Sequence, residues 1–247
     1  MPSLCGLWID DAGVVHRAIA RDDGGRESST DTFQPFAWLG EGSLDAPASG
    51  LRVERLKGEG AFPRLVHADN LEVYDAFLSE AKAAGPVDAI RPLESQYLLQ
   101  RRERLFGDLM FGQLRRCQLD IETGSEDGSF SNASRPGDRV LAIGLRLGDD
   151  VRLLELEAPT DAAEKALLER FNATLAALDP DVIEGHNLFK FDLDYLRQRC
   201  KRHKVPCAWG RFGQKATFRN SRLKVAERWI DFPRCDLPGR TVVDTYL

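Results

Sequence analysis

Two carboxylates, Asp120 and Glu122, stand two residues apart in the run Gln118-Leu119-Asp120-Ile121-Glu122-Thr123. Read as a short buried strand, this run places both side chains on one face, because strand residues alternate between faces. Like charges on one face repel and resist desolvation. A hard divalent cation, Mg²⁺ or Mn²⁺, offsets that cost by taking oxygen ligands. The plainer alternative is a strand end at which both acids face water. A third acid, Asp192, follows the turn Gly185-His186-Asn187 and opens a helical pattern. Asp192 either caps that helix or is brought beside Asp120 and Glu122, since open α/β sheets build their sites at strand ends.

The elements that must position these acids are legible in order. Residues 114–123, 139–147 and 151–156 read as three strands, the second almost wholly apolar as befits a central one. A helix follows over 162–178, opened by an Asp161/Glu164 capping pair and carrying the stripe Leu167, Leu168, Phe171, Leu175 and Leu178. A short strand over 182–184 and a helix over 193–203 complete the series. Three antiparallel strands and a helix crossover to a new strand form the opening of a ribonuclease H-like α/β sheet. The fold class expected is therefore α/β, with an incomplete ribonuclease H-like mixed sheet over 113–247 and a smaller β-rich α+β domain over 1–112. In the latter, residues 4–10 and 13–19 read as a hairpin and 21–31 and 41–50 as loops. The aromatic stretch 33–39 reads as an edge strand because of Pro35, and 51–56 as a strand. Helices are expected over 71–84, with Asn70 as N-cap and Gly85 as stop, and over 93–106.

The 247 residues carry 43% hydrophobic and 30% charged residues, an ordinary globular composition. No apolar run approaches the ~18–20 residues of a membrane span, and the start lacks the pattern of a secretory signal, so a cytoplasmic location is expected. Five cysteines at scattered spacings argue against a disulfide framework. Cys200, His203, Cys207 and Cys235 do not match paired-knuckle zinc spacing. The net charge of −5 divides into −13 over residues 1–185 and +8 over 186–247. The basic density peaks over 197–228, which includes Arg219, Arg222 and Lys224, and points to a polyanion partner, or else to a solvated helix face and loop.

Asp120-Ile121-Glu122-Thr123, followed about 65 residues later by Gly185-His186-Asn187-Leu188-Phe189-Lys190-Phe191-Asp192-Leu193-Asp194-Tyr195-Leu196, resembles the first two exonuclease motifs of family B DNA polymerases. Gly239-Arg240-Thr241-Val242-Val243-Asp244 is similar to the Gly-Arg…Asp strand found after the second motif. Phe33-Gln34-Pro35-Phe36 is similar to a stretch of the family's N-terminal domain. The resemblance implies a proofreading-type 3′→5′ exonuclease acting on single-stranded DNA ends, serving a polymerase domain further along the same chain. It implies that Asp120, Glu122 and Asp192 are catalytic metal ligands for Mg²⁺ or Mn²⁺, two ions in a complete site. It also implies that Thr123, Asn187 and Phe191 lie against the terminal nucleotides, with Arg219, Arg222 and Lys224 on strand phosphates. Phe191 reads equally well as core packing beneath its helix.

The departure from the family concerns its third motif, Tyr-x-x-x-Asp, which supplies a fourth carboxylate. After Asp192 the tyrosines are Tyr195 and Tyr246, and neither is followed by Asp at that spacing. Asp231, Asp236 and Asp244 remain as substitutes, and the end at Leu247 reads as a cut in a longer protein. Two other readings stay open: a non-catalytic nucleic-acid-binding module that keeps the fold, and a stand-alone nuclease acting on RNA or DNA.

Overall fold

The computed structural model describes residues 3–42 and 49–247, so the loop expected over 41–50 lies largely outside the described residues. The chain divides into two compact units, Met1–Asp108 and Leu109–Leu247.

In the first unit, β1 (Ser3–Ile9), β2 (Val14–Ala20) and β3 (Arg26–Thr32) form an antiparallel sheet. The β1–β2 turn is held by Asp10, whose Oδ1 accepts from the N–H groups of Ala12 and Val14. β3 replaces part of the expected loop over 21–31. Its polar residues are largely solvent-facing but pair residue by residue with β2, so polarity there marks exposure, not irregularity. A second sheet has the order β5 (Leu51–Arg55), β6 (Arg64–Ala68), β4 (Phe36–Leu39), β7 (Val87–Asp88). β4 is thus interior, not the expected edge. Pro35 precedes the strand, where no N–H is required, and its carbonyl accepts from Ala68. Helix α1 (Leu71–Ala84) begins at Asn70, whose side chain accepts from Val73 N–H, and stops at Gly85. Helix α2 (Leu93–Arg101) is shorter than expected, because Arg102 turns left-handed at φ 54°.

The second unit contains β8 (Arg116–Thr123), β9 (Val140–Leu147), β10 (Asp150–Glu155), α3 (Asp161–Leu178), β11 (Val182–Gly185) and α4 (Asp192–His203), followed by β12 (Thr217–Val225), β13 (Arg228–Asp236) and β14 (Thr241–Asp244). Five strands form one mixed sheet in the order β10-β9-β8-β11-β14. β10, β9 and β8 are antiparallel neighbours, and β11 joins β8 and β14 in parallel. This is the ribonuclease H-like arrangement read from the sequence. β12 and β13 form a separate antiparallel hairpin, an element not anticipated. The apolar stripe of α3 and the inner faces of β8, β9 and α4 make one core around Leu119, Ile143, Leu167, Phe171 and Leu196.

Glu164 does not serve the expected capping pair. Thr160 is the N-cap, its Oγ1 accepting from Ala163 N–H. Glu164 is fully buried and is bridged by Arg199 of α4, also fully buried. Burial raises the Glu164 carboxyl, but hydrogen bonds from Arg199, Val140 N–H and His203 outweigh it and hold the pKa below its ordinary value. Arg199 also donates to the carbonyls of Ala133, Arg135 and Pro136. One ion pair therefore joins α3, α4, the start of β9 and the segment between β8 and β9. Removing one partner of such a pair strands a buried charge. Glu164→Gln is expected to lower unfolding stability by ~3–5 kcal/mol in chemical denaturation, whereas Glu164→Leu/Arg199→Leu recovers part of that loss.

Candidate active site

β8 outruns its parallel neighbour. β11 pairs with β8 only as far as Glu184 opposite Gln118, while β8 continues through Asp120 and Glu122. Past that point the backbone of β8 has no strand partner on this side, and a buried N–H left there would need an acceptor. Asp192 supplies it: its Oδ1 accepts from Ile121 N–H at 3.1 Å in a buried setting. The crossing is close. A Cβ on Gly185 would lie 2.6 Å from the Leu119 carbonyl, which explains a glycine at the end of β11.

Asp120 and Glu122 lie on the exposed face of β8, alternating with buried Leu119 and Ile121, as strand alternation requires. Asp192 is 2% exposed and is the first residue of α4, not its N-cap, which is Phe191. Its carboxyl is pushed up to about 7. Burial is the largest cause; hydrogen bonds from its own N–H and from Ile121 oppose it, and the charges of Asp120 and Asp244 reinforce it. Asp120 and Asp192 are therefore brought close enough to feel one another. Among the described residues, no group of three or more His, Cys, Asp or Glu side chains stands in ligating array. The donors at the site are nonetheless carboxylate oxygens of like charge, the set a hard divalent cation fits.

Asp244, at the end of β14, holds the loop that leads to Asp192. Its Oδ1 accepts from Asn187 N–H at 2.8 Å and Tyr246 N–H at 3.0 Å, and its Oδ2 from Phe189 N–H at 3.0 Å. Asn187 sits at φ 63°, a left-handed conformation that Asn tolerates better than most residues. Both oxygens of Asp244 are thus committed to backbone. Asp231 is bridged by Arg222, and Asp236 by Arg219 and Arg234. All three acids considered as a fourth ligand are engaged elsewhere.

The other site residues divide. Thr123 Oγ1 lies 2.6 Å from Ser131 Oγ, tying the end of β8 to the segment after it. Phe191 packs partly on the core, with its ring 5.6 Å from that of Tyr195 and 6.0 Å from that of Phe130. Phe130 is 82% exposed and was missed in the sequence; the signal was a lone aromatic in a polar, glycine-containing segment. Arg219 and Arg222 lie on the β12–β13 hairpin with Lys224, and Arg222 also stacks over exposed Trp229. The aspartates that hold Arg219 and Arg222 lie beyond residue 228, so charge counting over 197–228 overstated the free positive charge. Two further members of that stretch are structural: Arg199, and Arg211, which is buried against Asp179 and Asp181.

Residues 106–247 match the family model described as DNA polymerase family B, exonuclease domain. The chain belongs to this family. It is 35% identical over 107 residues to the DNA polymerase delta catalytic subunit of Bos taurus, covering 38% of this chain and 10% of that protein. It is 36% identical over 112 residues to DNA polymerase II of Escherichia coli (strain K12), covering 45% and 14%. It is 37% identical over 84 residues to the DNA polymerase alpha catalytic subunit of Trypanosoma brucei brucei, covering 34% and 6%. The chain spans a small part of each of these relatives. No helix among the described residues is long and apolar enough to cross a membrane.

The elevated Asp192 carboxyl has a measurable consequence. Its ordinary value is 3.8 and its folded value about 7, so the fold binds this proton more tightly than the unfolded chain does. Stability is then fully present below pH 4 and lost as pH rises toward 7. Asp192→Asn is expected to raise Tm of the metal-free protein at pH 8, by at most ~4 kcal/mol in unfolding free energy, and to leave Tm near the parent value at pH 4. Asp244→Ala is expected to cost ~2–3 kcal/mol and to speed hydrogen exchange at the Asn187 and Phe189 amides while leaving β9 and β10 protected.

Proposed function

We propose that the Leu109–Leu247 unit hydrolyses single-stranded DNA from the 3′ end in a metal-dependent, proofreading-type reaction, with Asp120, Glu122 and Asp192 as the ligand set. One observation carries the reading: a buried carboxylate, raised toward neutrality, crosses the strand that bears Asp120 and satisfies that strand's own backbone. A fold gains nothing from such a charge unless the site uses it. When bound, Mg²⁺ or Mn²⁺ supplies positive charge for the scissile phosphate and for activation of the attacking water. Asp192 is held by Ile121 N–H, Asp120 and Glu122 project from one face of β8, and Asp244 sets the loop that carries Asn187 and Phe191. The aromatic faces of Phe191 and exposed Phe130 offer stacking for terminal bases, a contact indifferent to base identity. The end acted upon is that of a strand handled by a polymerase, in keeping with the names of the relatives. Arg219, Arg222 and Lys224 would meet strand phosphates further out.

The engagement of Asp231, Asp236 and Asp244 leaves Asp120, Glu122 and Asp192, of the acids considered among the described residues, for chemistry that uses two metal ions in the family's complete site. Hydrolysis by residues 1–247 is therefore expected to be slow. The same observation favours a second reading, a nucleic-acid-binding module without catalysis. Digestion of 3′- and 5′-labelled oligonucleotides with Mn²⁺ separates the two. Slow loss from the 3′ end that Asp120→Ala abolishes supports hydrolysis; degradation unchanged by Asp120→Ala, or none at any Mn²⁺ concentration, rejects it. A calorimetric Mn²⁺ titration gives an independent readout, in which Asp192→Asn is expected to weaken binding at least ~10-fold.

A further inference from the structure

The outer side of α4 carries a feature that the proposed chemistry leaves unused. The buried side holds Asp192, Tyr195, Leu196 and Arg199. The solvent-facing flank, with Arg197, Gln198, Lys201 and Arg202, lines a cavity of about 710 Å³ together with Ala133 and Ser134. Three of these six residues are cations and none is an acid. A smaller cavity of about 250 Å³ adjoins it, shares Ala133 and Gln198, and includes Phe130, Phe191 and Lys190 together with one acid, Asp194, which Arg197 bridges. A continuous groove thus runs from the aromatic pair beside Asp192 to the basic side of the helix.

The charges facing the groove are uneven. Arg197 is bridged to Asp194 and lies over the ring of Phe218. Arg202 meets Asp161 only at 3.5 Å, an acid that also holds Arg139 at 3.0 Å. Lys201 is exposed. Arg197 and Lys201 are one helical turn apart, ~6 Å along the axis, a spacing on the scale of successive backbone phosphates. Arg199, fixed by Glu164, anchors the backbone of Ala133, so one wall of the groove is tied to the core.

We propose that this groove is a binding site for the phosphate backbone of single-stranded DNA, holding the part of the strand that trails behind the terminal nucleotides. The site deepens the exonuclease reading and rests on it for the strand's direction. Bases nearest the end lie against Phe191 and Phe130, and the phosphates behind them lie on Lys201 and Arg202, with Arg197 at the junction.

Anisotropy of labelled oligothymidylates of about three and about twelve nucleotides, in EDTA and from ~50 to ~200 mM salt, tests this. For the longer strand, Lys201→Gln/Arg202→Gln is expected to reduce the salt slope by ~1.4, two contacts at ~0.7 each, and to weaken binding ~10-fold or more. Binding of the trinucleotide stays within ~2-fold, and Lys201→Arg preserves the slope, as contacts with phosphate charge require. Arg219→Gln/Arg222→Gln changes the slope less, because those guanidiniums already hold aspartates. An unchanged slope in the helix variant, equal losses for both oligonucleotides, a larger effect from the hairpin variant, or no binding of the longer strand by the parent chain each overturns the proposal. Asp120→Ala distinguishes the two readings. Failure of the groove leaves Mn²⁺-dependent digestion intact with an unchanged slope. Failure of the nuclease reading leaves the slope change intact with no digestion.

Discussion

The hydrogen bond from Ile121 N–H to Asp192 is the constraint on which the second unit turns. β8 must extend beyond β11 to display Asp120 and Glu122, and that extension exposes backbone that the sheet does not satisfy. Closing it with a carboxylate instead of a carbonyl seats Asp192 against the strand that bears Asp120 and Glu122. Burial, reinforced by the charges of Asp120 and Asp244, pushes the Asp192 carboxyl up to about 7, although the bond from Ile121 N–H itself opposes that rise. The contact that satisfies the backbone of β8 is also the one that fixes Asp192 on it, and the surrounding structure serves to hold that contact.

Two sets of polar contacts do that holding. Asp244 gathers three backbone N–H groups and fixes the loop between β11 and α4, so that a turn of only six residues delivers Asp192 to β8. On the far side, Glu164 and Arg199 lock α4 to α3 and to the carbonyls of residues 133, 135 and 136. A buried ion pair is a weak source of net stability compared with apolar packing of the same volume. Its use here is positional: it fixes the segment that carries Phe130 relative to the helix that Phe191 caps.

The arginines illustrate how tertiary context sorts residues of one type. Arg199, Arg211 and Arg240 are withdrawn from solvent and bind acids or carbonyls within the fold. Burial and neighbouring Arg211 lower Arg240 to about 10, against the attraction of Asp179 and Asp181. Arg219 and Arg222 remain on the surface with aspartates from the paired strand. The outer side of α4 keeps the more available charge.

The sequence by itself determined the order of elements from β8 to α4, the shared face of Asp120 and Glu122, and the family. Each rests on local pattern: period-2 alternation along β8, period-3.6 apolar stripes on α3, and motif residues at short spacing. Tertiary structure alone decided what depends on partners distant in the chain. Pro35 could be read as an edge signal because its missing N–H is local, yet only the pairing of β4 with both β6 and β7 shows that strand to be interior. Polar 26–32 became a strand because β2 offered a partner. The β12–β13 hairpin, written in charged residues, carries little apolar period to read. Glu164 looked like a cap from its spacing to Asp161, but its role was set by Arg199, 35 residues away. Asp244 looked like a spare ligand until its 57-residue reach to Asn187 committed both oxygens to backbone amides. Residue types and their spacing announce which chemistry is possible; the choice of partner, made across the sheet, decides which acids remain to perform it.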